Sequence, residues 1–113
     1  MSQQVLIIAQ GLEIGQASKS HIASMRVCVE QFIKDPRVKV IYGITRRSTG
    51  FAAVCDVPNW QEADRLAAMA QVCGLTNIEM LPLVPPEQLR AGLEEAERIA
   101  DAVPRDSPAY AQV

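Results

Sequence analysis

The chain has 113 residues, 49% of them apolar and 21% charged, with a net charge of −2. That size and balance fit a single globular domain able to bury a core without metal or disulfide staples. Lysine and arginine gather into no stripe, which excludes the electrostatic footprint of a nucleic-acid binder.

The longest apolar run near the start, Val5 to Ala9, is too short for a signal-peptide core or a bilayer span. The expected location is therefore cytoplasmic, with neither nucleic acid nor membrane as a partner. Three cysteines, Cys28, Cys55 and Cys73, are an odd number without close spacing, which argues against a disulfide framework.

Val5 to Ala9 is continuous and β-branched and predicts a strand covered on both faces. Gly11 to Gly15 breaks that pattern. Gln16 to Lys34 predicts a first helix, with Ile22, Met25, Val29, Phe32 and Ile33 as its apolar stripe. Asp35-Pro36 ends it, because a residue before proline is pushed out of the helical region.

Val38 to Arg46 and Gly50 to Val57 predict the two strands of a hairpin around Arg47-Ser48-Thr49-Gly50. A turn centred on Ser48-Thr49 sets Tyr42 opposite Cys55, Ile44 opposite Ala53 and Arg46 opposite Phe51. Asn59 with Glu62 reads as a helix start in which Glu62 can reach back to the cap. Ala63, Leu66, Ala67 and Ala70 are the buried stripe of that second helix, and Gly74 lies where it would be capped.

Asn77 to Val84 predicts a fourth strand. Glu87 to Val103 predicts a third helix with Leu89, Leu93, Ala96 and Ile99 or Ala100 on one side, and Pro86 in its first turn. Residues 1–103 form the expected domain, and 104–113 have no periodicity and read as a loose tail. The order β-α-β-β-α-β plus a C-terminal helix is the ferredoxin-like α+β plan.

Every strand carries apolar residues on both faces, and two helices can cover only one face of a four-stranded sheet. The second face calls for a cover: a second copy of the chain, as a homodimer or higher homo-oligomer, or the third helix folding back.

The stretch Gly50-Phe51-Ala52-Ala53-Val54-Cys55-Asp56-Val57-Pro58 is followed by a helix. Then comes Asn77-Ile78-Glu79-Met80-Leu81-Pro82-Leu83-Val84-Pro85. Together these resemble the second half of muconolactone-isomerase-like proteins of the dimeric α+β barrel superfamily. The resemblance covers about a third of the chain and rests on the strand ending Asp-Val and the last strand's Ile-Glu-x-x-Pro-Leu. It implies sheets paired face to face and a pocket between sheet and helices. In relatives that pocket serves metal-free isomerisation, cyclisation or oxygenation, or haem chemistry. The first strand and the first hairpin strand do not follow the family pattern, so no catalytic residue is carried over.

From the residues themselves, His21 and Tyr42 are the candidate catalytic groups. The first has a near-neutral pKa suited to proton transfer, and the second has a hydroxyl that could orient a substrate. Arg46 would hold a small organic acid through its planar fork, beside Cys55 and Trp60 as further substrate contacts. Each also has a plain structural reading: a partly exposed helix residue for His21, core packing for Tyr42 and Cys55, a turn charge for Arg46, a core lid for Trp60. The phosphate-loop likeness of Gly11 to Ser20 fails on its spacing, and the sequence calls for no metal and no cofactor. Two functions follow: a small enzyme working by proton transfer on an acidic organic molecule, or a non-catalytic binding, assembly or regulatory module.

Overall fold

The computed structural model describes residues 2–45 and 49–103. Arg46, Arg47, Ser48 and the tail 104–113 lie outside the described residues. The elements run β1 (Gln3–Gln10), α1 (Lys19–Lys34), β2 (Val38–Ile44), β3 (Gly50–Val57), α2 (Trp60–Val72), β4 (Asn77–Leu83) and α3 (Pro86–Ala102). The four strands form one antiparallel sheet in the order β2-β3-β1-β4. This is the expected ferredoxin-like α+β arrangement. Contacts divide the chain into a unit ending at Leu83, which holds the sheet with α1 and α2, and one beginning at Val84, which holds α3.

Local chemistry sets the helix ends. The Ser18 hydroxyl accepts from the His21 amide at 3.1 Å, so α1 begins at Lys19, and Ile14–Gln16 make a separate 3₁₀ turn. Asn59 accepts from the Glu62 amide at 3.0 Å and starts α2. Gly74 follows α2 with φ +94°, the left-handed region in which glycine escapes a Cβ penalty.

The core lies between the sheet and the two helices. Val5, Ile7 and Ala9 of β1 and Phe51, Ala53, Cys55 and Val57 of β3 point into it. α2 contributes Ala63, Leu66, Ala67 and Ala70, as the periodicity predicts. α1 contributes Met25, Cys28 and Phe32, and the Phe32 and Phe51 rings meet at 4.6 Å. Ile22 and Ile33, expected in that stripe, are exposed, and Cys28 takes the inward position. At Gly50 the strands approach so closely that a Cβ would stand 2.0 Å from the Ala9 carbonyl oxygen.

The hairpin differs from the sequence expectation. Tyr42 pairs with Ala52, Ile41 with Ala53, Gly43 with Phe51 and Ile44 with Gly50, with an irregularity between Val38 and Val40. Five residues separate β2 from β3 instead of a two-residue turn. From Val40 to Ile44 the register therefore moves by three places, and an odd shift turns those side chains to the other face, while Val38, before the irregularity, still packs against the core. Ile41 now packs against the core, and Tyr42 points away from it.

One ion cluster ties α2 to the α1–β2 turn. Arg37 donates from Nε and Nη2 to the two Asp35 carboxylate oxygens at 2.9 and 2.7 Å, and from Nη1 to Glu62 Oε2 at 2.6 Å. Arg65 donates to the other Glu62 oxygen at 2.7 Å. The Glu62 carboxylate is thus held by two arginines and does not serve its own helix cap, as the sequence suggested. The hydrogen bonds from Arg37 hold the Asp35 carboxyl below the usual carboxylate range, against the opposing effect of burial.

Replacing Arg37 by Met takes the guanidinium from the Asp35 carboxylate and one of two arginines from Glu62 in a partly buried site, and should cost about 2 kcal/mol at neutral pH. Because the folded-state pKa of Asp35 is lowered, its share of the stability is present above about pH 4, the ordinary carboxylate value. That share is lost as pH falls through the depressed folded value. Urea unfolding of both proteins at pH 7 and pH 3 should show the stability gap narrowing at the lower pH; a gap independent of pH contradicts the assignment.

Candidate functional site

The expected site residues do not come together. His21 sits in the first turn of α1 with its ring against the end of α2. A Cβ on Gly74 would lie 2.7 Å from His21 Cε1. His21 Nε2 is shut away from solvent without a hydrogen-bond partner among the described residues. The histidine packs over a glycine cap.

Tyr42 is 71% exposed on the sheet face that α1 and α2 do not cover. It is neither in the core nor beside Cys55, as the hairpin expectation had it. Its neighbour across the strand pair is Ala52.

Cys55 is fully buried in the core. Burial first, and the nearby Asp35 charge second, push its thiol up to about 11, with Arg37 acting the other way. A nucleophilic cysteine needs the opposite shift, so Cys55 is a core residue. Trp60 begins α2 and is partly exposed. Arg46 lies outside the described residues.

Other groups meet that the sequence did not single out. Cys28 and Cys73 are neighbours: burial, then the Cys73 thiol, push Cys28 up to about 12. The spacing of 45 residues hides this pair, and only the packing of α1 on the end of α2 reveals it. Among the described residues no three His, Cys, Asp or Glu side chains gather as a metal-ligand set.

A groove of about 390 Å³ opens along α1. Its walls are Ile22, Met25, Val29 and Leu75, with Arg26 and Glu30 as its charged members, 4.0 Å from one another. None of His21, Tyr42, Cys55 and Trp60 lines it. Ile22, read from the sequence as core, in fact borders this open groove.

The outer sheet face is the other feature. Cross-strand pairing sets Val40, Val54, Leu6 and Leu81 in one row and Tyr42, Ala52, Ile8 and Glu79 in the next. Gln4 and Asp56 border the first row, and Gln10 and Asn77 the second. Val40 is 42% and Leu81 44% exposed. An apolar centre with a polar rim is the anatomy of an interface.

No family model matches the chain, and no curated protein matches it in sequence. Solved structures do share its fold. One described as FFRP-DM1 is 10% identical, with a TM-score of 0.51, over 73% of this chain and 99% of that one. An AsnC family transcriptional regulator from Agrobacterium tumefaciens is 14% identical, with a TM-score of 0.52, over 74% of this chain. The chain spans about half of that regulator, 52% of its length. These likenesses establish the ferredoxin-like fold. They do not support membership among the muconolactone-isomerase-like proteins.

The Gly74 contact can be tested directly. Gly74→Ala should cost about 2–3 kcal/mol, combining the positive-φ penalty with the clash on His21. In a His21→Ala background only the backbone part, about 1–2 kcal/mol, should remain. Denaturant unfolding of the four proteins checks this; equal costs in both backgrounds would remove the His21–Gly74 contact.

Proposed function

We propose that the chain is a non-catalytic, self-associating module with a regulatory or assembly role, in which the outer sheet face of one copy lies on that of another. The observation that carries this reading is the continuous apolar row Val40, Val54, Leu6 and Leu81 on a face that α1 and α2 leave free.

Size supports it. Four strands about 4.8 Å apart and seven residues long span roughly 450 Å² in plan. In accessible surface the corrugated face approaches the roughly 600–1,000 Å² per partner of a standard interface. Ala52 and the polar rim allow close approach at the centre and hydrogen bonding at the edge.

The chemistry points away from catalysis. Among the described residues, His21, Tyr42 and Cys55 are scattered over a helix cap, an open face and the core, and none of them lines the groove along α1. One neighbour with this fold is described as a transcriptional regulator, which supports a regulatory role over an enzymatic one. The groove along α1 offers such a module a place for a small apolar molecule.

The chain should sediment at twice its 12.3 kDa mass or more. Val54→Lys and Leu81→Lys place charges in the centre of the face and should weaken that association at least tenfold, on the order of 1.4 kcal/mol or more. They should leave circular dichroism unchanged. A wild-type chain that stays at 12.3 kDa at about 100 μM, a concentration at which even a ~10 μM dimer would be well populated, overturns the reading.

A further inference from the structure

α3 has a surface of its own. Leu89, Leu93, Ala96 and Ala100 follow one another at intervals of four, three and four residues, and Ile99 widens one side of the stripe. Alternating intervals of three and four form the seam of a helix–helix pair. Leu89 is 56%, Leu93 61% and Ile99 57% exposed. A stripe of this kind on a single short helix gains its stability from burial against something else.

The charges beside the stripe indicate what covers it. α3 carries Glu87, Glu94, Glu95, Glu97 and Asp101 against Arg90 and Arg98, an acidic excess that opposes casual stacking of two such helices. Arg98 is engaged with Glu95 one turn away. Arg90 and Glu97 have no ion-pair partner among the described residues. They flank the same edge of the stripe, two turns apart.

Two copies of α3 placed antiparallel, with the axis between Leu93 and Ala96, satisfy both features together. Each leucine then meets a small residue, Leu93 the partner's Ala96 and Leu89 the partner's Ala100, so the helix axes approach closely. Each Arg90 lies beside the partner's Glu97, and the two-fold axis makes that contact twice. In a parallel pair the Arg90–Glu97 edges of the two helices lie on opposite sides of the seam, and the reciprocal contact is lost.

We propose that α3 is a self-recognition surface that pairs antiparallel with α3 of a second copy through the Leu89–Ala100 seam and reciprocal Arg90–Glu97 contacts. This proposal rests on α3 alone and goes beyond the function proposed above. A chain with two different two-fold surfaces assembles past the dimer, closing as a tetramer where the axes allow it.

Sedimentation of the full chain from about 1 to 100 μM, with the melting of the core followed alongside, is the test. Arg90→Glu should weaken one association step about tenfold or more, and Arg90→Glu/Glu97→Arg should restore it to within about threefold at low salt. Leu93→Glu should abolish the same step. Val54→Lys should leave it in place, which separates failure of this proposal from failure of the sheet-face reading. An Arg90→Glu chain that associates like wild type overturns the proposal, as does a charge swap that restores nothing. A step lost in Leu93→Glu yet indifferent to both charge variants assigns the stripe to another occupant and overturns it equally.

Discussion

The structure turns on a mismatch between layers. A four-stranded sheet has two faces, and α1 and α2 both lie on the same one. Helix packing protects Val5, Ile7, Ala9, Phe51, Ala53, Cys55 and Val57 from water. It does nothing for Leu6, Ile8, Val40, Val54 and Leu81, which cross-strand pairing places together on the reverse. At roughly 25 cal/mol per Å² of apolar surface, leaving such a face wet forgoes several kcal/mol. That is a large part of what a domain of this size has in reserve. The proposed self-association follows from this constraint, because a second copy brings a face of the same shape and the same need.

The same layering sets where His21, Tyr42 and Cys55 stand. Residues that look reactive in the sequence are placed by packing. Cys55 alternates inward with its strand and is desolvated, which raises its thiol pKa. His21 closes over the glycine that ends α2. Tyr42 faces outward, where a phenol serves an amphipathic surface better than a core. The charged cluster of Asp35, Arg37, Glu62 and Arg65 is a clamp between elements: Arg37 binds both carboxylates, and Arg65 binds Glu62 as well.

Much of this fold was legible in the sequence, and the reason is periodicity. The α2 stripe of Ala63, Leu66, Ala67 and Ala70 repeats at helical spacing without interruption, and Asn59 caps it. β3 reads as a strand from Gly50 to Val57, and its burial alternates along that whole length. The hairpin register was not legible, because β2 is apolar on both faces and alternation cannot say which face is which. Ile41 and Tyr42 read equally well inward, and only the length of the connection decides. That choice carried Tyr42 from the expected core face beside Cys55 to the open face, opposite Ala52. The Cys28–Cys73 contact and the Arg37–Glu62 bond join residues far apart in the chain, where local pattern has nothing to report.

The most direct test of the account is an isotope-filtered NOE spectrum of a mixed sample, half the molecules methyl-labelled and half not. The account predicts contacts between copies from the methyl groups of Leu6, Val54 and Leu81. Contacts between copies that omit these three methyls, or none at all, would contradict it.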